Sequence, residues 1–251
     1  MLEMVVNSKN QNDYKPIDKE SFFKRLLIFI AALTVAMILT FGQSLAAYTG
    51  QNISGVSTLI FIVVTVLYGI FSIVLLNLWK STTDYVESNI IKGKINKSSF
   101  TNLILALIVS LIFHLILMAL PISKSNHDIE LNIYLIVVLF VFQVLIAPLV
   151  EETVVRGLFL SMFFKKKLNI FNFNDKQDKI IRYTLAILIS AFISTSLHGM
   201  SSYISVLSLL INGILCGILY ISSKNILTPI IFHMINNFFA WLGILLIFVQ
   251  K

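Results

Sequence analysis

The sequence predicts an all-α, polytopic transmembrane bundle of seven to eight helices. Composition is the first reason: 57% of the 251 residues are hydrophobic and only 12% are charged, with a mean hydropathy of +0.90. Soluble domains carry about twice that share of charge. The second reason is spacing, because the apolar residues fall in blocks of about twenty, the length that crosses about 30 Å of hydrocarbon. The third is the placement of Lys and Arg, which crowd into alternate loops between the blocks. The net charge of +7 therefore encodes topology, makes the lipid bilayer the expected partner, and gives no reason to expect nucleic acid.

Residues 1–25 are polar, end in Lys24-Arg25, and form the expected cytoplasmic N-terminal tail. The first apolar block, Leu26 to Tyr48, carries small residues ("SLAA") near its end, as a signal peptide would. Both the block and its polar leader are longer than a signal peptide's, so an uncleaved helix is expected. Further blocks run Val56–Trp79, Phe100–Leu120, Leu131–Phe164, Tyr183–His198, Tyr203–Ser222 and Ile226–Val249. Gly and Pro inside them do not argue against helix, since transmembrane helices tolerate both. Tyr183, Tyr203 and Trp79 stand at block ends, where interfacial aromatics belong.

The loops support this division. Lys80, Lys92, Lys94 and Lys97 follow the second block, Lys165 to Lys167 with Lys176, Lys179 and Arg182 follow the fourth, and Lys224 follows the sixth. The loops between them, "TGQNISG", "PISKSNHDIE" and "GMSS", are neutral or nearly so. That alternation places the N-terminus inside, and seven spans would place the C-terminus outside. Residues 131–164 are the exception, because at 1.5 Å per residue they would make a helix of about 50 Å. Such a block must tilt, bend at Pro148, or split into two pieces, which is why an eighth helix or a re-entrant piece is allowed for. The chain divides into the tail, the N-terminal helices of 26–122, and a core of 131–249. The abundance of Lys, Asn and Ile suggests a bacterial source with an AT-rich genome.

Chemistry is expected where lipid should exclude charge. Ionisable residues at bilayer depth cost roughly 2.5–3.5 kcal/mol on insertion scales and usually face the protein interior. Glu151, Glu152 and Arg156 lie in the fourth block, His198 ends the fifth and His233 lies in the seventh. Glu152 and Arg156 are four apart, on one helical face, with the acid on the N-terminal side. Glu151 is about 100° round the helix and lacks an obvious partner, which suits a carboxylate that accepts a proton. A structural ion cluster locking two helices is the alternative reading of the same three residues. In "FHMINNF", His233 and Asn237 share a face and could hold a water, a metal or an oxyanion, while Asn236 suits an interhelical hydrogen bond. His114, in "LIFHLIL", shows no polar helical neighbour and reads as structural or interfacial, and His127 falls in a loop. Counted from the cytoplasmic block ends, Glu151 and His198 lie at similar depth, with His233 about 10 Å from its own block end and so shallower. Gly213 and Gly217 form a small-xxx-small face for close packing within the bundle. The single Cys216 offers neither a disulfide framework nor a cysteine-based metal site.

These motifs resemble those of the CPBP family, the CAAX-processing and bacteriocin-processing intramembrane proteases also called the Abi family. "EETVVR" matches its EExxxR motif and "HMINN" its HxxxN motif, in the right order and over roughly residues 131–249. The family's FxxxH motif is represented by His198, but Ser194 stands four residues before it and the nearest aromatic, Phe192, six before. The resemblance implies proteolysis of a peptide or membrane-protein substrate, with Glu151 as general base and His198 and His233 polarising or positioning the water. It further implies Asn237 as oxyanion stabiliser, with Glu152 and Arg156 holding the helix. The residues suit either a zinc ion on Glu151, His198 and His233 with an open water position, or a metal-free glutamate mechanism; the HExxH pattern is absent.

Other chemistries fit less well. Every aspartate (Asp13, Asp18, Asp84, Asp128, Asp175, Asp178) lies outside the apolar blocks, against a two-aspartate mechanism. A serine mechanism could invoke only Ser44 in "FGQSL" with a distant histidine. Two non-proteolytic readings stay open: a scaffold or bacteriocin-immunity protein of the same fold, and a proton-coupled transporter, since intramembrane Glu and His also form proton relays.

Overall fold

The computed structural model describes residues 20–51, 97–119, 133–164, 173–198 and 202–249, with isolated residues of the segment 59–74. Residues 1–19 of the N-terminal tail, most of the second apolar block, His127, the Lys80–Lys94 and Lys165–Lys167 loops, and the side chain of Ser44 lie outside that description. Among the described residues all regular structure is helical, as expected of a chain that must satisfy its backbone within lipid. The helices are α1 (Phe22–Gln51), α2 (Lys97–Met118), α3 (133–163), α4 (Asp175–Ser196), α5 (Tyr203–Ser223) and α6 (Leu227–Val249). Among the described residues, five spans are long and apolar enough to cross a membrane: Lys97–Leu117, Leu135–Phe163, Asp175–Ser196, Tyr203–Ser223 and Leu227–Leu246. The protein is a multi-pass membrane protein.

The overlong fourth block does not split into two helices. Residues 133–163 form one continuous helical run whose hydrogen-bond register changes along its length. Leu139–Ile146 and Thr153–Leu158 are π-helical, and α-helical turns lie before, between and after them. The run escapes the length limit of a lipid-facing helix because its middle does not face lipid: residues 150–160 are buried without exception. Val155, Leu158, Phe159 and Met162 pack against Phe29 and Ala36 of α1 and against Ile226 and Ile230, making the principal core. At the end of α3 two arginines take up terminal carbonyls that the helix cannot satisfy itself. Arg25 donates to Met162 O and Arg182 Nη1 to Phe164 O at 2.8 Å, with the Arg25 guanidinium also over the Phe163 ring.

α4 begins eight residues before the apolar block that predicts it. Asn174 caps it by a reciprocal box with Gln177, and Asp178 and Arg182 pair at 3.4 Å on this first stretch. A charged, well-capped turn extends the helix beyond what hydropathy registers. α4 and α5 then meet at very short range. A Cβ on Gly213 would lie 2.9 Å from Ala191 Cα, and one on Gly217 would lie 3.3 Å from the Ile187 side chain. The small-xxx-small face therefore works within the bundle. Lys224 closes α5 in the left-handed conformation (φ 52°), and Asn225 Oδ1 accepts from Leu227 N at 2.9 Å to start α6.

α2 is held against α5 and α6 by polar contacts. Ser110 Oγ lies 2.7 Å from Asn236 Oδ1 and 3.1 Å from Asn212 Oδ1. His114 does have a polar neighbour one turn away, contrary to the expectation from "LIFHLIL": its Nδ1 donates to Ser110 O at 2.7 Å, and Ser208 Oγ donates to its Nε2 at 2.8 Å. The histidine is structural, as expected, and Asn236 is an interhelical hydrogen-bonding residue: its Oδ1 accepts from Ser110 Oγ on α2, while its Nδ2 donates to Phe232 O one turn back on α6 at 2.9 Å.

Candidate active site

α3 brings two adjacent carboxylates into the middle of the bundle, and α4, α5 and α6 close round them. Glu152 and Arg156 are both fully buried and paired at 3.0 Å, as their spacing predicts. The pair is one part of a larger unit. Glu152 Oε1 also accepts from His233 Nδ1 at 3.0 Å, so α3 and α6 are joined through a single carboxylate oxygen. Arg156 reaches the other way: Nη2 donates to Gly213 O at 3.0 Å and Nη1 to Ser194 Oγ at 3.3 Å. A guanidinium presents five donors in a fixed fork, which is how one side chain can tie neighbouring helices to its own.

Ser194 is the position at which the chain departs from the FxxxH motif, and the structure gives it a job. Its hydroxyl meets Arg156, and its carbonyl accepts from His198 Nδ1 at 2.9 Å. Phe192, the nearest aromatic, is 66% exposed, so it does not replace the missing ring. His198 itself stands just past the end of α4. Because a carbonyl oxygen only accepts, the Nδ1 proton is committed there, and in the neutral imidazole it is the Nε2 lone pair that faces Glu151. Nε2 and Glu151 Oε2 are 3.8 Å apart, too far for a direct hydrogen bond and suitable for a donor shared between them. Glu151 is buried, and its Oε2 has no hydrogen-bond partner.

The two histidines serve different carboxylates. His198 faces Glu151 and His233 binds Glu152, so the bundle closes the difference in depth that counting along the helices gives His233. Asn237 is placed by neither acid: its Nδ2 donates to the backbone carbonyl of Gln143 on α3 at 2.7 Å. All six expected residues nonetheless line one cavity of about 470 Å³. Its wall also includes Met37, Thr40 and Phe41 of α1, together with Gln143, Asn212 and Cys216. Sequence reasoning did not pick these out. Gln143 could have been found as the lone polar side chain between Tyr134 and Glu151 in the fourth block, whereas nothing in α1 or around Cys216 carries a comparable signal.

Residues 133–239 match the family model of the type II CAAX prenyl endopeptidase Rce1-like proteins. This segment is similar to the CPBP family, whose motifs it carries. The match spans somewhat under half of the chain and takes in α3, α4, α5 and the first half of α6. Every motif residue of the CPBP core falls within it, while α1 and α2 lie outside. Neither the curated proteins nor the solved structures hold a match to the chain.

A metal fits this CPBP core poorly. The ligand atoms that come within 4.8 Å of one another among the described residues are those of Glu152, Cys216 and His233, not those of Glu151, His198 and His233. In that first group Glu152 Oε1 already accepts from Arg156 at 3.0 Å, so a cation there would sit beside a buried guanidinium. Cys216 thus stands against the ion cluster, a placement that its position in the sequence does not suggest.

Proposed function

We propose that the protein is an intramembrane endopeptidase in which Glu151 activates the attacking water without a metal. The observation that carries this reading is the buried Glu151 Oε2, which has no hydrogen-bond partner and faces His198 Nε2 at 3.8 Å. Glu151 takes a proton from the water, His198 Nε2 accepts the second O–H and aims the oxygen, and the oxygen adds to the scissile carbonyl. Negative charge develops on the carbonyl oxygen, where donors from α6 are positioned to meet it. The carbon–nitrogen bond then breaks, and Glu151 returns its proton to the leaving amine. Glu152 and Arg156 are positioning residues: they hold His233 and fasten α3 to α4 and α5.

The substrate in this reading is a peptide segment held at the bilayer. Met37 and Phe41 line the cavity and are 54% and 70% exposed, an apolar approach in keeping with a lipid-borne substrate. Prenylated C-terminal peptides, the class named by the matching family, are the first to test. In this reading the N-terminus lies on the cytoplasmic side of a cell membrane, which the alternation of basic and neutral loops in the sequence supports.

The test is cleavage of quenched peptides, with and without a prenyl group, by wild type and Glu151→Gln in liposomes. The amide should lower the rate by at least about 100-fold, the contribution expected of a general base, without lowering thermal stability. Stability should hold because the substitution relieves a buried carboxylate that lacks a hydrogen bond. Equal rates in the two proteins would refute the assignment. Loss of wild-type activity on treatment with a chelator, restored by zinc, would refute the metal-free form of it.

A further inference from the structure

The hydrogen bond from Asn237 to Gln143 is explained by a proline five residues further along α3. Between Leu139 and Ile146 the helix is in the π register, where each carbonyl accepts from the N–H five residues on. For Gln143 that residue is Pro148, which has no N–H. The π stretch accordingly ends at Ile146, with Pro148 in the first turn of the α-helical piece that follows. A carbonyl within the bundle that loses its backbone donor must find another. Asn237 Nδ2 reaches it at 2.7 Å, from a different helix.

We propose that Pro148 and the Gln143 carbonyl are positioning elements for the amide of Asn237. An asparagine amide has two donors on nitrogen and an acceptor oxygen, and a 180° flip exchanges the two ends. Only one orientation can assist an oxyanion, since the amide oxygen would repel it. The Gln143 carbonyl selects that orientation by taking one Nδ2 hydrogen, and it leaves the second for the cavity that Asn237 lines. Pro148 makes the selection firm by removing the backbone N–H that would compete for the same carbonyl.

This inference rests on the endopeptidase reading for its kinetic consequence but not for its structural one, and the test separates the two. Peptide cleavage and thermal unfolding in detergent are measured for wild type, Pro148→Ala, Asn237→Ala and the double variant. Pro148→Ala restores a donor to the Gln143 carbonyl and frees the amide. It should lower kcat about 5–10-fold with KM unchanged, a share of the 100-fold or more expected for loss of an oxyanion donor. In the Asn237→Ala background the same change should have no further effect on kcat. Asn237→Ala should lower the melting temperature by about 2–4 °C when Pro148 is present. The loss should be smaller in the Pro148→Ala background, where the backbone supplies the bond. Independent effects of the two substitutions on kcat, or unchanged kcat in Pro148→Ala, would overturn the positioning role. Equal melting losses in both backgrounds would overturn the hydrogen-bond exchange itself. If wild type cleaves none of the peptides, the endopeptidase reading fails alone, and the melting comparison still decides whether Pro148 is what recruits Asn237.

Discussion

Replacing Arg156 by methionine removes the cation at the centre of the bundle while keeping a side chain of similar length. Arg156 is fully buried and makes three bonds, to Glu152 and Gly213 O at 3.0 Å each and to Ser194 Oγ at 3.3 Å. Removing one member of a buried ion pair costs roughly 3–5 kcal/mol, because the other charge is left without its partner. The lower end applies here, since Glu152 keeps its 3.0 Å bond to His233. About 3 kcal/mol lowers the melting temperature of a chain of this size by about 6–12 °C. The assay is built into the protein: Cys216 is its single cysteine and is buried, so a fluorogenic maleimide reports unfolding as the thiol becomes accessible. Adding Glu152→Gln to Arg156→Met should recover part of the loss, because it neutralises the stranded carboxylate. An Arg156→Met protein melting within about 2 °C of wild type would refute the reasoning, as that is less than the effect of 1 kcal/mol. So would a double variant less stable than Arg156→Met alone.

Three further outcomes can be checked with the same thiol melt. Gly213→Ala drives a methyl to 2.9 Å from Ala191 Cα and should cost about 1–3 kcal/mol by overpacking, whereas Gly243→Ala meets nothing within 4 Å and should be neutral or slightly stabilising. Ser194→Ala should cost about 0.5–1.5 kcal/mol through the lost bond to Arg156, and Ser194→Phe, which restores the family's aromatic, should cost more and reduce cleavage, because a ring cannot occupy that buried position without displacing the guanidinium. Ser110→Ala should cost about 0.6–1.7 kcal/mol, the range of interhelical hydrogen bonds in membranes, with the glutamate-dependent chemistry unaltered.

Much of the architecture is legible in the chain because lipid is a severe solvent. It demands long apolar helices, so hydropathy finds α2, α5 and α6 within a few residues, and it penalises charge, so Glu151, Glu152, Arg156 and His233 stand out as a site before any contact is known. Spacing separates the two carboxylates, since i,i+4 pairing is a local property of a helix. Only the tertiary structure decides the rest. That His233 serves Glu152 while His198 serves Glu151 depends on how α4 and α6 dock on α3, and no spacing within one helix encodes it. The π register of α3 is equally hidden, because an apolar run has the same composition in either register. Ser194, a departure from the family pattern in the sequence, becomes a ligand of Arg156 once α4 lies against α3. Pro148 shows the division most plainly. The sequence marks it as a place where a helix must change, through the missing N–H. Which group makes good that missing donor depends on what folds beside it, and in this protein it is the asparagine of the HxxxN motif.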